Sequence, residues 1–130
     1  MAEPPAARPP AVVVMRYWLP VFVYLAAIQV VSAQPDFQVP SLFPNIDKAV
    51  HVLEYLGIGV LLARAWRASY ALPVPIGTAM FAVGVGLCIG ATDEFVQSFV
   101  PGRMSSVNDL LADATGLLIA QFVFLLVVRE

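Results

Sequence analysis

Apolar runs long enough to cross a bilayer, broken by two dense polar stretches, leave this chain few folds to adopt. The runs cover residues 12–31, 50–66, 73–91 and 110–128, and the polar stretches are NIDKAVHVLEY at 45–55 and TDEFVQSFVPGRMSSVNDLLAD at 92–113. A spanning helix needs roughly 20 mostly apolar residues, with about 17 as a lower limit. The first, third and fourth runs meet that requirement. The second meets it only when its helix starts near Asp47 and carries Asp47, His51 and Glu54 at an interface or in a polar cavity. Apolar residues make up 60 % of the chain and charged ones 12 %, against about 45–50 % and about 25 % in soluble domains. Both departures favour the bilayer as solvent. The expected fold class is therefore all-α, a polytopic membrane bundle with four transmembrane helices over residues 11–130, after a disordered Pro- and Ala-rich leader at 1–10.

Several function classes drop out. A net charge of −2 offers no electrostatic footprint for nucleic acid. Cys88 is the only cysteine, so no intrachain disulfide is available, and inside an apolar run it reads as a small buried side chain. No G-x-S-x-G, Walker loop, H-E-x-x-H or C-x-x-C occurs, which leaves carboxylate or imidazole acid–base work as the accessible chemistry. His51 is the only histidine. A zinc site built on it needs carboxylates for most of its other ligands, which is uncommon, and an oxygen-rich magnesium or calcium site is chemically easier. No spacing identifies either, so neither a metal nor a cofactor is assigned from sequence.

Arg8 and Arg16 precede the first helix, Arg64 and Arg67 lie between the second and third, and Arg129 follows the fourth. Lys and Arg in short loops favour the cytoplasmic side. Both termini and the 64–72 turn are thus expected in the cytoplasm, the protein being multi-pass, with both polar stretches on the outer face. Arg16, the apolar run after it and Val31-Ser32-Ala33 also resemble an export signal, but the length of the run and the charge pattern favour an uncleaved first helix. Pro20 is expected in an early turn, where fewer backbone bonds are needed. Tyr17, Trp18, Trp66 and Tyr70 occupy positions suited to interfacial anchors. Thr78, Ala82, Gly86 and Gly90 recur every four residues, a small face that lets helices approach closely, with Gly84 on a second such face. The third helix is accordingly expected to be the central one.

In the first polar stretch, Asp47, His51 and Glu54 fall at i, i+4 and i+7 and share a helix face. Tyr55 sits on the neighbouring edge, and Lys48, the only lysine, beside Asp47. A carboxylate next to an imidazole fixes its tautomer and suits proton handling. The bland alternative is that Asn45 or Asp47 caps the helix. In the second stretch, Asp93 and Glu94 end the third helix, where carboxylates oppose the helix dipole, so capping does not account for them. Gln97 and Ser98 lie one turn further on, Pro101-Gly102 signals a turn, and Ser105 or Ser106 can cap the fourth helix with Asp109 in its first turn. Arg103 is placed to neutralise these acids or to clamp an anionic ligand. Asp113, about a turn deeper, must be paired or wet. With helices alternating in direction, the stretches share one end of the bundle, His51 or Glu54 close to Glu94, Gln97 or Arg103.

D-K-x-x-H-x-x-E-Y at 47–55, E-x-x-Q-x-F-x-P-G-R at 94–103, S-x-x-D at 106–109 and D-x-T-G at 113–116 together resemble the VanZ-like family of small integral membrane proteins, over roughly residues 45–120. The resemblance implies a membrane bundle of four or five helices and puts Asp47, His51, Glu54, Glu94, Gln97, Arg103 and Asp109 at motif positions. It also implies a link to the cell envelope, the namesake being associated with resistance to the glycopeptide antibiotic teicoplanin. Asp113 departs from the pattern, where the family usually shows Asn, and adds an acid to the site.

Three readings compete. In the first, the protein binds or modifies a lipid-linked or cell-wall precursor at the outer face, its partners being that precursor and membrane lipids. In the second, it is a membrane enzyme acting on a lipid head group, with His51, Glu54 and Glu94 as candidate catalytic groups. Asp47, Lys48, Tyr55, Asp93, Gln97, Arg103, Ser106, Asp109 and Asp113 are the candidate binding groups. In the third, the polar groups only lock helices together in an accessory protein. An open pocket or a bound metal favours the enzyme, and a closed, mutually paired network the accessory role. The orientation is testable by cysteine-accessibility labelling. Position 41 is expected to react from outside and position 69 from inside, and the reverse pattern inverts the assignment.

Overall fold

The computed structural model describes residues 8–35, 40, 42–70 and 75–127, and all regular structure among them is helical. Residues 1–7 of the expected leader, position 41 and Arg129 lie outside the described residues. Four helices form: α1 (Pro10–Ser32), α2 (Ile46–Ser69), α3 (Pro75–Gln97) and α4 (Val107–Val127). The first begins at Pro10, inside the stretch expected as leader, because proline at the start of a helix forfeits no hydrogen bond. Pro20 consequently falls in the middle of α1 rather than in an early turn. Its ring crowds the carbonyl four residues back and it has no N–H to donate. The chain accommodates it with a π-helical turn over Val14–Trp18, in which the Leu19 N–H bonds to the Val14 carbonyl.

α1, α3 and α4 are each long and apolar enough to cross a membrane. α2 is as long, at 24 residues, but does not reach that apolarity by itself. What α2 touches explains the difference. It packs on α4 over the most extensive interface in the molecule and also on α1 and α3, burying Tyr55, Ile58, Leu62, Ala63 and Ala65. Among the described residues, the large apolar side chains exposed on the helices belong to α1, α3 and α4, as with Phe22, Met80 and Phe122, whereas α2 exposes Leu53 alone. A helix wrapped by others can hold polar side chains toward the bundle interior.

The central place expected for the third helix therefore belongs to α2. Close backbone approach puts it there. A Cβ on Gly116 of α4 would collide with the Val52 carbonyl and lie 2.9 Å from the Leu56 amide nitrogen, and one on Gly59 of α2 would lie 2.8 Å from the Ala120 Cβ. The four-residue spacing on α3 does bury Thr78, Ala82, Gly86 and Gly90, with Gly86 against Leu117. Gly84 meets open space instead of forming a second packing face. Cys88 is exposed rather than buried. Both sit two residues from the buried stripe, which on a helix is the opposite side.

At the end of the bundle away from the polar stretches, Trp66 stacks on Phe81 with ring centroids 3.7 Å apart, and the Trp18 indole N–H donates to Ser69 Oγ at 2.9 Å. The Tyr17 ring is faced by the guanidinium groups of Arg8, Arg16 and Arg64 at 5.5, 5.9 and 5.9 Å. Added side-chain volume in a tight core typically costs about 1–3 kcal/mol, and more where backbone must move. Gly116→Ala is expected to lower the melting temperature in detergent, Gly86→Leu to disrupt α3–α4 packing, and Gly84→Leu to behave like the parent protein. Equal melting of all three variants would refute close backbone approach as what holds the core.

Candidate functional site

The alternating helix directions bring the end of α1, the start of α2, the end of α3 and the start of α4 together. Local sequence shapes each of these ends. Asn45 precedes α2 in the left-handed conformation, φ 60°, which Asn tolerates better than most residues. Its side chain makes no capping bond, and Asp47 pairs with Lys48 at 2.5 Å instead. After α3 the chain reverses at Pro101-Gly102, with Gly102 at φ 76° and the Arg103 N–H donating to the Val100 carbonyl at 3.1 Å. Glycine supplies the positive φ such a turn needs. Of the two serines that follow, Ser106 is the cap: its Oγ accepts from the Asn108 N–H at 3.1 Å. The Ser106 N–H in turn donates to Glu94 Oε2 at 2.8 Å, so Glu94 ties the end of α3 to the start of α4.

Two polar arrangements result, one closed and one open. The closed one centres on Asp93, which is 3 % exposed. Its Oδ1 accepts from Ser32 Oγ at 2.7 Å and from Gln29 Nε2 at 3.1 Å, and its Oδ2 accepts from Gln97 Nε2 at 3.1 Å. Gln97 also donates to Ser32 Oγ at 2.6 Å. Sequence reasoning misses Gln29 and Ser32. The available signal is that two polar residues three apart, one helical turn, interrupt the otherwise apolar end of the first run.

The open arrangement joins α2 and α4. His51 Nδ1 lies 2.8 Å from Asp113 Oδ1, and its Nε2 is 4.0 Å from Asp109 Oδ1. The Lys48 ammonium bridges Asp47 and Asp109. Asp113, 1 % exposed, is thus paired rather than wet. A cavity of about 290 Å³ opens beside these groups. One part of its wall is apolar, from Ile28, Val31, Val50 and Met104, and the rest is polar, from Asp47, His51, Glu54, Arg103, Asp109 and the edge of the Asp93 cluster. Among the candidate residues, Lys48, Tyr55, Glu94, Ser106 and Asp113 do not line the cavity. Tyr55 is fully buried, with its ring 3.3 Å from the position a Gly90 Cβ would take. Its hydroxyl has no hydrogen-bond partner among the described residues. The mixed wall can hold a polar or charged group while its apolar part covers a greasy one, and the Asp113 carboxylate holds the imidazole in one orientation.

The description VanZ/LLP1 is that of the protein family whose profile matches this chain, over residues 8–128. No curated protein and no solved structure matches it.

The closed cluster is testable without knowing a ligand. Losing a hydrogen bond to a buried charged group costs about 1.5–3 kcal/mol. Ser32→Ala is expected to lower the unfolding midpoint in detergent by a corresponding amount, and an unchanged midpoint would show that the Asp93 cluster does not hold α1 in place.

Proposed function

Since the chain belongs to the VanZ/LLP1 family and is a membrane protein by its three apolar helices, we propose that it holds the head group of an amphiphilic envelope component at the extracytoplasmic face. The observation that carries this reading is the apolar part of the wall, from Ile28, Val31, Val50 and Met104, in the cavity of about 290 Å³: an open polar pocket by itself suits an enzyme equally, and the apolar part adds a place for a tail. A lipid-linked precursor has a charged or polar head joined to an apolar tail, and such a wall matches both. α2 acts as the fourth span in this reading. Its polar residues are acceptable in a bilayer because α1, α3 and α4 surround it and supply the lipid-facing surface. Arg8, Arg16 and Arg64 gather around Tyr17 at the far end of the bundle, which favours that end, and both termini, on the cytoplasmic side. A link to teicoplanin resistance, which the resemblance implies through the family's namesake, would in this reading follow from engaging an envelope component.

The His51–Asp113 contact at 2.8 Å favours a second reading. An imidazole oriented by a carboxylate is the geometry of a general base, so the same mouth suits acid–base chemistry on a bound head group. Head-group release from an envelope lipid extract, lost in His51→Gln, separates catalysis from binding.

Arg103 tests the binding reading, because it lines the cavity and its planar fork suits anionic head groups. Arg103→Gln keeps hydrogen bonding and removes the cation. Mass spectrometry of lipids retained by the purified variant is expected to show anionic envelope lipid reduced roughly tenfold, the scale of one charge-assisted hydrogen bond, with the melting temperature kept. A drop in melting temperature with unchanged relative lipid retention assigns Arg103 to holding the bundle together and overturns its ligand role.

A further inference from the structure

Behind the mouth, His51 of α2, Glu94 of α3 and Asp109 of α4 each offer one ligand atom, and the three atoms lie within 4.8 Å of one another. Two further features separate this group from a chance gathering of acids. The first is the orientation of His51. A carboxylate only accepts hydrogen bonds, so the 2.8 Å contact with Asp113 Oδ1 puts the proton on Nδ1. In the neutral imidazole Nε2 is then the lone pair, on the side where Asp109 Oδ1 lies, 4.0 Å away. A carboxylate behind one ring nitrogen is the usual support of a metal-bound histidine, because it fixes the tautomer and raises the ligand's basicity. The second is Glu94. Its Oε2 accepts from the Ser106 N–H at 2.8 Å, while its Oε1 is buried with no hydrogen-bond partner among the described residues. A buried carboxylate oxygen without a donor is costly, and a cation bound there satisfies it.

We propose that His51, Glu94 and Asp109 bind one divalent transition-metal ion. Imidazole as a ligand selects zinc and its first-row neighbours over magnesium and calcium, which take oxygen. Zinc ligands sit about 2.0–2.2 Å from the metal, hence roughly 3.4 Å from one another in a tetrahedron. The three side chains close on the ion by movements of about an ångström. Three protein ligands leave the fourth position open, and His51 and Asp109 both line the cavity. The cation that now holds Asp109 is the Lys48 ammonium, which also contacts Asp47. Lys48 therefore competes for Asp109 and has a second carboxylate to retreat to when the metal enters. Any part the ion plays in holding a head group rests on the binding reading above. The ion's own binding is measured without lipid, so the two can fail separately.

The test uses the full chain, purified in detergent, stripped with a chelator and titrated calorimetrically with Zn²⁺ and with Mg²⁺. One Zn²⁺ per chain is expected. His51→Gln and Glu94→Gln are each expected to weaken it at least tenfold, and Asp113→Asn by about 10–100-fold, through the support behind the ring. Lys48→Met is expected to tighten Zn²⁺ binding about tenfold by removing the competing charge. Melting curves without metal show which variants keep their fold. Where the weakened variants do not, Lys48→Met decides, and unchanged affinity there overturns the site. Absence of stoichiometric Zn²⁺, Zn²⁺ binding indifferent to Glu94→Gln in a folded variant, or Mg²⁺ bound as tightly as Zn²⁺ each overturns it as well.

Discussion

A carboxylate buried in a bundle whose outside is apolar has to find most of its hydrogen-bond donors within the bundle, since lipid supplies none. Asp93 meets that constraint with Gln29 and Ser32 from α1 and Gln97 from its own helix. The consequence for the architecture is large, because α1 makes little other contact with α3. Its seat there is specified chiefly by where those donors reach the Asp93 oxygens. Apolar packing alone is permissive in rotation and slide, whereas a charge with several short hydrogen bonds accepts one arrangement.

The same end of the molecule thus divides its polar residues between two tasks. The Asp93 cluster is saturated internally and holds helices. In the other group His51 is held to Asp113 by one contact, and Asp109 is tied to Asp47 through Lys48; His51 and Asp109 face a cavity that Asp93 and Gln97 only edge. Glu94 belongs to both tasks. One oxygen closes the α3–α4 turn through the Ser106 N–H, and the other is buried with no hydrogen-bond partner among the described residues. Holding a site through the groups that also hold the scaffold is the condition for keeping its geometry when a ligand arrives.

Much of this was legible in the sequence, and the exceptions have physical causes. The helical period of Asp47, His51 and Glu54, and the four-residue stripe on the third helix, reflect backbone geometry, so the faces they describe are the faces observed. The turn at Pro101-Gly102 and the cap at Ser106 are local chemistry and equally readable. What was not readable depends on other segments. Hydropathy describes a helix as if it stood alone, and α2 does not: its surroundings are three other helices, so its composition understates how deeply it lies. The prominence of glycine on the third helix suggested the central element. Yet a single glycine on α4, Gly116, at the point where two backbones touch, counts for more than a stripe facing side chains. Gln29 and Ser32 are hard to read because a lone amide and a hydroxyl in an apolar run match no motif, and only their one-turn spacing marks them. Their meaning comes from Asp93, more than sixty residues away in the chain.

The π-helical turn ahead of Pro20 has an effect on α1 that extends past relieving a proline. An α-helix advances about 100° per residue, and a π turn inserts one residue more than its neighbours use. Everything before Val14 is therefore rotated by about that angle relative to everything after Trp18. α1 is two short cylinders joined with a fixed phase offset. The later one aims Val21, Ile28 and Ser32 inward, and the offset turns the earlier one to a different azimuth. Removing one residue from the turn changes neither length nor composition appreciably, but it swings the amino-terminal cylinder a quarter-turn around the bundle, carrying Arg8 away from the Tyr17 ring.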